Sequence, residues 1–224
     1  MYPPVCPFCG RISREGICSL CRKRLPYISE PRCMRCGKPL EKEEQEYCRD
    51  CGRHSSYYEQ GRSIWLHRPP VSQAIYRLKY KNKRNYGKVF AQEMARCYGA
   101  QIKRWGVQEI VPVPLHKRRQ RKRGYNQAAI LAEELGKLLH LPVDADAVLR
   151  IRDTRPQKEL NDAQRSKNLK GAFAAAGHDR VKPVVLVIDD IYTTGSTIQR
   201  VAKMLKMAGA EKVYFLTISI GQGL

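Results

Sequence analysis

The segment VVLVIDDIYTTGST, residues 184–197, decides the fold of this chain. Its first five residues are aliphatic and mostly β-branched, which predicts a short strand buried on both faces. Two aspartates follow, and a hydroxyl-rich turn then leads into a helical pattern over residues 196–208. This order of strand, acidic pair, turn and helix is typical of a ligand site at the carboxyl end of a parallel sheet.

The turn after the strand predicts a phosphate site. Its residues are Thr193, Thr194, Gly195, Ser196 and Thr197. They would present backbone N–H groups and hydroxyls at a helix N-terminus, where unpaired donors and the helix dipole favour an anion. Asp189 and Asp190 are suited to accept hydrogen bonds from ribose hydroxyls and to anchor Mg²⁺. The alternative is an ordinary helix capped by Ser196 or Thr194, with both aspartates solvated.

Strand and helix patterns alternate over most of the chain. Helices are expected at 72–80, 86–104, 126–140 and 196–208, and strands at 109–114, 184–188 and 213–219. This alternation predicts an α/β fold with a mostly parallel sheet covered on both faces. We expect a domain over residues 57–224, joined by a linker at 54–61 to an N-terminal domain over residues 1–56.

The N-terminal domain is defined by cysteines. Eight of the nine cysteines form four Cys-x-x-Cys pairs, which are Cys6/Cys9, Cys18/Cys21, Cys33/Cys36 and Cys48/Cys51. The pairs make two copies of a unit too poor in large apolar residues to fold without a metal or cross-link. Sets of four thiolates with no open position predict two structural zinc ions. Cys97 stands alone at helical spacing, and we interpret it as a core residue.

Two arrangements of these pairs are open. Sequential pairing is favoured because Gly10 and Gly37 follow the first pair of each copy, where a self-contained ribbon needs a left-handed turn. A cross-braced arrangement would interleave the pairs. An iron–sulfur cluster or redox-active thiols are less favoured alternatives to zinc.

The charge of the chain predicts an anionic partner. Its 42 Lys+Arg and 21 Asp+Glu give a net charge of +21; six of the eight residues 116–123 are Lys or Arg, and a second basic cluster spans residues 77–88. Such clusters are either solvated surface or a surface that tracks nucleic-acid phosphates. Nearby aromatic residues could stack on single-stranded bases or pack in the core: Tyr57, Tyr58, Trp65, Tyr76, Tyr80 and Tyr86. No membrane span and no secretory signal is visible, so a cytoplasmic protein is expected.

A family resemblance joins these features. Residues 185–197 resemble the phosphoribosyl-pyrophosphate motif of type I phosphoribosyltransferases. Residues 111–119, 123–127, 155–157 and 168–173, together with Arg165 and the cysteine-rich start, resemble the ComF branch of that superfamily over essentially the whole chain. The resemblance implies a type I phosphoribosyltransferase-like fold behind a double zinc ribbon.

The resemblance also implies roles for residues. Asp189 and Asp190 would contact the ribose, residues 193–197 would hold the 5-phosphate, and Lys117 and Arg118 would face the pyrophosphate, with Mg²⁺ bound to the ligand. Residues 150–170 would form a basic flap. Proteins of the ComF branch are associated with natural competence. This association implies that single-stranded DNA binds the basic surface, and that a competence helicase or other uptake proteins are partners. The arginines proposed for the nucleic-acid surface are Arg118, Arg119, Arg121 and Arg123.

Catalysis is not decided by these residues. Hypoxanthine–guanine members of the superfamily carry an acid where this chain has Thr193, which disfavours a 6-oxopurine acceptor. The alternative function is a phosphoribosyltransferase of base or nucleotide salvage with no role in DNA handling.

Overall fold

A computed structural model describes residues 4–153, 169, 171–177 and 181–221. Its helices are α1 (Ser19–Arg24), α2 (Arg49–Arg53), α3 (Val71–Tyr80), α4 (Tyr86–Arg104), α5 (Lys117–Arg123), α6 (Gln127–Leu139) and α7 (Ser196–Met207). Its strands are β1 (Gln60–Leu66), β2 (Glu109–Pro112), β3 (Val148–Arg150), β4 (Phe173–Ala175), β5 (Val184–Tyr192) and β6 (Lys212–Ile220).

The central sheet is parallel, with strand order β1-β6-β5-β2. A second sheet pairs β3 with β4 in antiparallel fashion. The α/β class with a mostly parallel sheet and N-terminal cysteine clusters is therefore confirmed. The proposed boundary between residues 56 and 57 stays a prediction.

Alternate residues of β5 define the two faces of the sheet. Val185 and Val187 belong to a buried cluster with α7 and the small sheet, whereas Leu186 and Ile188 belong to one with α3, α4 and α6. The period of two sends neighbouring side chains to opposite faces, so a continuous aliphatic run serves both cores.

The two cysteine units lie on opposite faces of this sheet. The first ribbon, from Cys6 to Cys21, packs Phe8 and Ile17 into the cluster of α4. The second ribbon, from Cys33 to Cys51, packs its cysteines into the cluster of α7. The ribbon segments also donate and accept backbone hydrogen bonds along β1, where Ile28 N donates to Ile64 O at 3.1 Å and Gly61 N donates to Arg35 O at 2.7 Å. This edge of the sheet is thereby covered.

Several expectations about elements are incomplete. Strand β1 is not among the predicted strands, and the expected linker at 54–61 ends inside it. Strand β5 continues through Asp189 and Asp190 to Tyr192, so the acidic pair lies within the strand and not after it. Residues 117–123 form helix α5, which is not among the predicted helices. Parallel pairing to β6 on one side holds β5 extended as far as Tyr192, because that residue pairs with Ile220.

Candidate functional site

The cysteines form two metal sites of the sequential type. Cys6, Cys9, Cys18 and Cys21 form one group and Cys33, Cys36, Cys48 and Cys51 the other, with the ligand atoms of each group within 4.8 Å of one another. Sulfurs of a tetrahedral zinc site lie about 3.8 Å apart when Zn–S bonds are about 2.3 Å. The Sγ atoms of Cys9 and Cys18 are 3.7 Å apart, as are those of Cys36 and Cys48. Both groups fit closed, structural zinc sites, and the cross-braced alternative is wrong.

The acidic pair on β5 is buried. Asp189 and Asp190 are 8% and 3% exposed, and Asp189 Oδ1 accepts a hydrogen bond from the Asp190 backbone at 2.8 Å. Burial raises the pKa of Asp189 to about 6, although Lys79, Arg150 and Arg123 lower it in part. The interpretation of both aspartates as solvated residues is therefore wrong.

Lys79 of α3 is the partner of this acidic pair, and it is not among the predicted site residues. Its Nζ forms an ion pair with Asp190 Oδ2, and burial lowers the pKa of Lys79 to about 8. In the sequence this lysine stands in the basic cluster of residues 77–88, which hides its separate role. The signal in the sequence is its position on the apolar stripe of α3, four residues after Ile75, whereas a solvated lysine belongs on the opposite face.

Two arginines act on the acidic pair, and a histidine lies near Lys79. Arg150 on β3 and Arg123 at the end of α5 both affect the pKa of Asp189. Burial lowers the pKa of Arg150 to about 10. His67, just after β1, has its pKa lowered by burial and by Lys79, and its Nδ1 lies 2.9 Å from Ser219 Oγ. The carboxyl edge of the sheet therefore combines a buried acidic pair with three cations, which are Lys79 of α3, Arg150 of β3 and Arg123 of α5.

The turn at residues 193–197, here called the phosphate loop, begins next to the acidic pair. Gly195 is the N-cap of α7 with φ +79°, and a Cβ there would collide with the Tyr192 hydroxyl. No side chain caps this described helix start. Ser196 or Thr194 is thus not the N-cap, and the Thr194 and Ser196 hydroxyls lie 2.9 Å from each other. The loop can place backbone donors against an anion.

The arginines of α5 divide into two groups. Lys117, Arg118 and Arg121 are exposed, and Arg118 lies 3.6 Å from Asp153. Arg119 Nε lies 3.4 Å from the same carboxylate. Arg123 is turned inward, where it donates to Gln127 and its guanidinium lies 5.0 Å from the centre of the Tyr80 ring. Helix α5 therefore offers an outer basic face and one inward arginine.

The aromatic residues divide in the same way. Tyr58, Trp65 and Tyr86 are buried in the core, so they are not available for stacking on bases. Tyr57, Tyr76 and Tyr80 are exposed, and the rings of Tyr76 and Tyr80 are 5.0 Å apart. Cys97 is half-buried against the α4 cluster, in agreement with its helical spacing.

Some expected features lie outside the described residues. These are residues 154–168 and 170 of the expected flap, which include residues 155–157, Arg165 and Asn168. Among the residues that the structure describes, none of the helices combines the length and apolar character needed to cross a membrane.

Comparison with known proteins agrees with this geometry. A family model described as a double zinc ribbon domain matches residues 1–52. "Competence protein F" of Haemophilus influenzae is 31% identical over 211 residues, covering 90% of this chain and 89% of the relative. The chain belongs to the ComF family. Other members with similar sequences are "DNA utilization protein YhgH" of Escherichia coli K12, 30% identical over 94% of both chains, and "Competence protein ComFC" of Bacillus subtilis, 27% identical over 87% of this chain and 80% of the relative.

The ComF relatives bear names from competence and DNA utilization. The resemblance found in the sequence motifs is thereby confirmed over both the cysteine-rich start and the α/β region.

Proposed function

We propose that this ComF-family chain binds phosphoribosyl pyrophosphate with Mg²⁺ at the carboxyl edge of its sheet and serves the uptake or handling of transforming DNA. The observation that carries the proposal is the buried Asp189–Asp190 pair, in which Asp190 is ion-paired with Lys79, followed along the chain by the start of α7, where no described side chain caps the helix. Carboxylates accept hydrogen bonds from sugar hydroxyls and a helix N-terminus favours a phosphate, so the two features together suit a ligand that carries both groups.

In this proposal the chain holds each part of the ligand differently. The phosphate loop would bind the 5-phosphate through backbone N–H groups, and the acidic pair would accept hydrogen bonds from the ribose hydroxyls. Lys117 and Arg118 would face the pyrophosphate from α5, where both are exposed. Burial of the acidic pair strengthens these electrostatic contacts because the local dielectric constant is low.

The donor set also fits Mg²⁺. Asp189 and Asp190 both supply carboxylates, and Asp190 Oδ2 already forms an ion pair with Lys79. Mg²⁺ in sugar-phosphate sites is commonly bound through one or two carboxylates and the oxygens of the substrate phosphates. Asp189 and Asp190 would hold Mg²⁺, which would supply neutralisation of the pyrophosphate charge.

The test is a calorimetric titration of phosphoribosyl pyrophosphate into the wild type, Asp190→Asn and Asp146→Asn. Asp146 is an exposed acid outside the site and is the matched control. We expect Mg²⁺-dependent binding that Asp190→Asn weakens by roughly tenfold or more and Asp146→Asn leaves unchanged. Equal binding by all three, or binding unaffected by a magnesium chelator, would contradict the proposal.

A second candidate function is single-strand binding, favoured by a specific surface. The exposed rings of Tyr76 and Tyr80 lie beside Arg123, and α5 continues the basic surface with Arg118 and Arg121. Rings stack on bases of any sequence, and arginines release counterions from phosphates.

Affinity for a fluorescent oligonucleotide, measured against salt concentration, tests the second function. We expect Arg118→Ala/Arg121→Ala to reduce the affinity and the salt slope, and Lys103→Ala/Arg104→Ala on α4 to have little effect. Absence of binding at low salt would favour the alternative, a salvage phosphoribosyltransferase without a DNA role. Release of pyrophosphate in the presence of a base would support catalysis in either case.

A further inference from the structure

A cavity of about 460 Å³ lies between the second ribbon and helix α7. The second ribbon and the segment after it contribute Arg35, Asp50, Cys51 and His54, and the opposite wall contributes Tyr192, Thr194 and Ser196 together with Arg200 and Lys203 of α7. Among the described residues that line it, neither acid of β5 and no residue of α3 is present. The cavity, here called the ribbon cavity, therefore shares Thr194 and Ser196 with the phosphate loop but contains neither Asp189 nor Asp190 in its described lining.

The ribbon cavity carries available positive charge. Arg200 and Lys203 are three residues apart on α7, so their side chains project from the same face of the helix. Neither has an acidic partner within the described part of the chain. Asp50, the one acid among the described lining residues, forms an ion pair of 2.9 Å with Lys38. Two cations thus face the cavity, and no carboxylate of a described residue is bound to them.

Other contacts fix the wall that the ribbon supplies. Arg35 donates hydrogen bonds of 2.6 and 2.8 Å to the carbonyl oxygens of Cys51 and His54. Gln199 of α7 accepts one of 2.8 Å from the Tyr57 backbone and donates one of 3.2 Å to the Ser55 carbonyl. These contacts tie the segment after the second ribbon to α7, so the ribbon cavity is largely preformed.

The lining also offers an aromatic surface. Tyr57 is 46% exposed, and the Lys203 ammonium lies 5.6 Å from the centre of its ring. Next to these residues are the Thr194 and Ser196 hydroxyls. Cations, hydroxyls and an exposed ring in one concave surface are the groups that recognise a phosphate joined to an aromatic base.

We propose that the ribbon cavity binds a nucleotide, with its phosphate on Arg200 and Lys203 and its base against Tyr57. The volume falls in the range of small-molecule sites, about 300–1,000 Å³. The nucleotide is either free or part of a single strand, since both present the same phosphate and base. This site goes beyond the proposed binding of phosphoribosyl pyrophosphate and does not depend on it.

The experiment uses the zinc-loaded full chain and calorimetry with three probes: deoxyadenosine 5′-monophosphate, deoxyadenosine, and a 5′-phosphorylated oligodeoxyadenylate. The test variant is Arg200→Ala/Lys203→Ala, and the matched control is Lys103→Ala/Arg104→Ala, which removes the same charge from exposed residues of α4. Arg200→Gln and Tyr57→Leu provide milder variants, and thermal unfolding verifies that each is folded.

We expect the wild type and the control to bind the phosphorylated probes, and the double variant to bind them at least about tenfold more weakly. Deoxyadenosine should bind more weakly than its monophosphate. Binding of the mononucleotide indicates a site for free nucleotides, and binding of the oligonucleotide alone indicates a nucleotide within a strand.

The proposal is overturned if neither phosphorylated probe binds the wild type, or if the test variants bind as well as the control. Titration of phosphoribosyl pyrophosphate distinguishes this proposal from the function proposed above. We expect Arg200→Ala/Lys203→Ala to bind phosphoribosyl pyrophosphate as the wild type does. If the wild type does not bind phosphoribosyl pyrophosphate, the function proposed above is refuted, and the nucleotide site is not.

Discussion

The two ribbons share a sequence pattern but occupy different environments. All four cysteines of the second ribbon are buried, whereas in the first ribbon Cys9 is exposed and Cys18 and Cys21 are half-buried. The second ribbon packs with Tyr58, Tyr192 and Phe215 beside the phosphate loop. The first ribbon packs on α4, on the other face of the sheet.

This difference indicates that the two ribbons, although copies of one repeat, have different structural roles. The first ribbon is attached to α4 by a network around buried Glu93, which contacts Arg22 of α1, Tyr27 and Arg96. The second ribbon forms part of the core behind the phosphate loop and one wall of the ribbon cavity. Loss of the second ribbon should therefore affect ligand binding directly, and loss of the first mainly stability.

The largest expected effect comes from removing zinc. Because structural zinc contributes on the order of 10 kcal/mol to folding in small zinc domains, loss of either ion should be severe. Cys36→Ser should be worse than Cys9→Ser, because its sulfur is buried among core residues while that of Cys9 is exposed. Mass spectrometry of the zinc content, together with thermal unfolding, tests this expectation. Equal destabilisation by Cys36→Ser and Cys9→Ser would contradict the distinction between the ribbons.

Glu93 should give the next largest effect. Removing one partner of a buried ion pair costs about 3–5 kcal/mol, but Arg22 and Arg96 are 30% and 54% exposed and can be solvated again. We expect Glu93→Gln to lower the free energy of unfolding by about 2 kcal/mol and to leave zinc in the second ribbon. Urea unfolding measures the first quantity, and zinc content measures the second.

The same network predicts a pH dependence. Burial alone would raise the pKa of Glu93, but hydrogen bonds from Arg96, Tyr27 and Arg22 lower it below its ordinary value of 4.5. A carboxyl whose pKa is lowered in the folded state stabilises the protein above its unfolded pKa and loses this contribution as pH falls through the folded pKa. The difference between wild type and Glu93→Gln should thus be constant near neutral pH and shrink below about pH 4.5. A difference that persists in strong acid would contradict this.

The sequence predicts what depends on local pattern. Helix α4 and both cysteine tetrads follow from the spacing of residues along the chain, and the structure agrees with them. Strand β1 is not predicted, because it is identified only by its pairing with β6 and by its backbone hydrogen bonds to the ribbon segments that cover it. Lys79 is missed because its partner, Asp190, lies more than a hundred residues away. The ribbon cavity could not be predicted, since it depends on how two distant segments pack.

Gly195→Ala should have an intermediate effect. The residue has φ +79°, and its new Cβ would meet the Tyr192 hydroxyl, so we expect a cost of about 1–2 kcal/mol and weaker binding of phosphoribosyl pyrophosphate. Gly52→Ala in the second ribbon is the control, because its φ is unstrained and a Cβ added there would meet no atom within 4 Å. Binding unaffected by Gly195→Ala would show that the shape of the phosphate loop is not required.

Tyr58→Phe should have the smallest effect and tests the link between the second ribbon and the phosphate loop. The hydroxyls of Tyr58 and Tyr192 are 3.0 Å apart in the core, and Tyr192 stacks on Phe215 beneath Gly195. Removing one hydroxyl leaves the other unpaired, which should cost about 1 kcal/mol. Tyr27→Phe, which removes a hydroxyl bonded to Glu93 at the first ribbon, is the matched variant. We expect both variants to destabilise the protein but only Tyr58→Phe to weaken binding of phosphoribosyl pyrophosphate, because the second ribbon supports the phosphate loop through this contact. Equal binding by the two variants would show that the two ribbons differ only in where they pack.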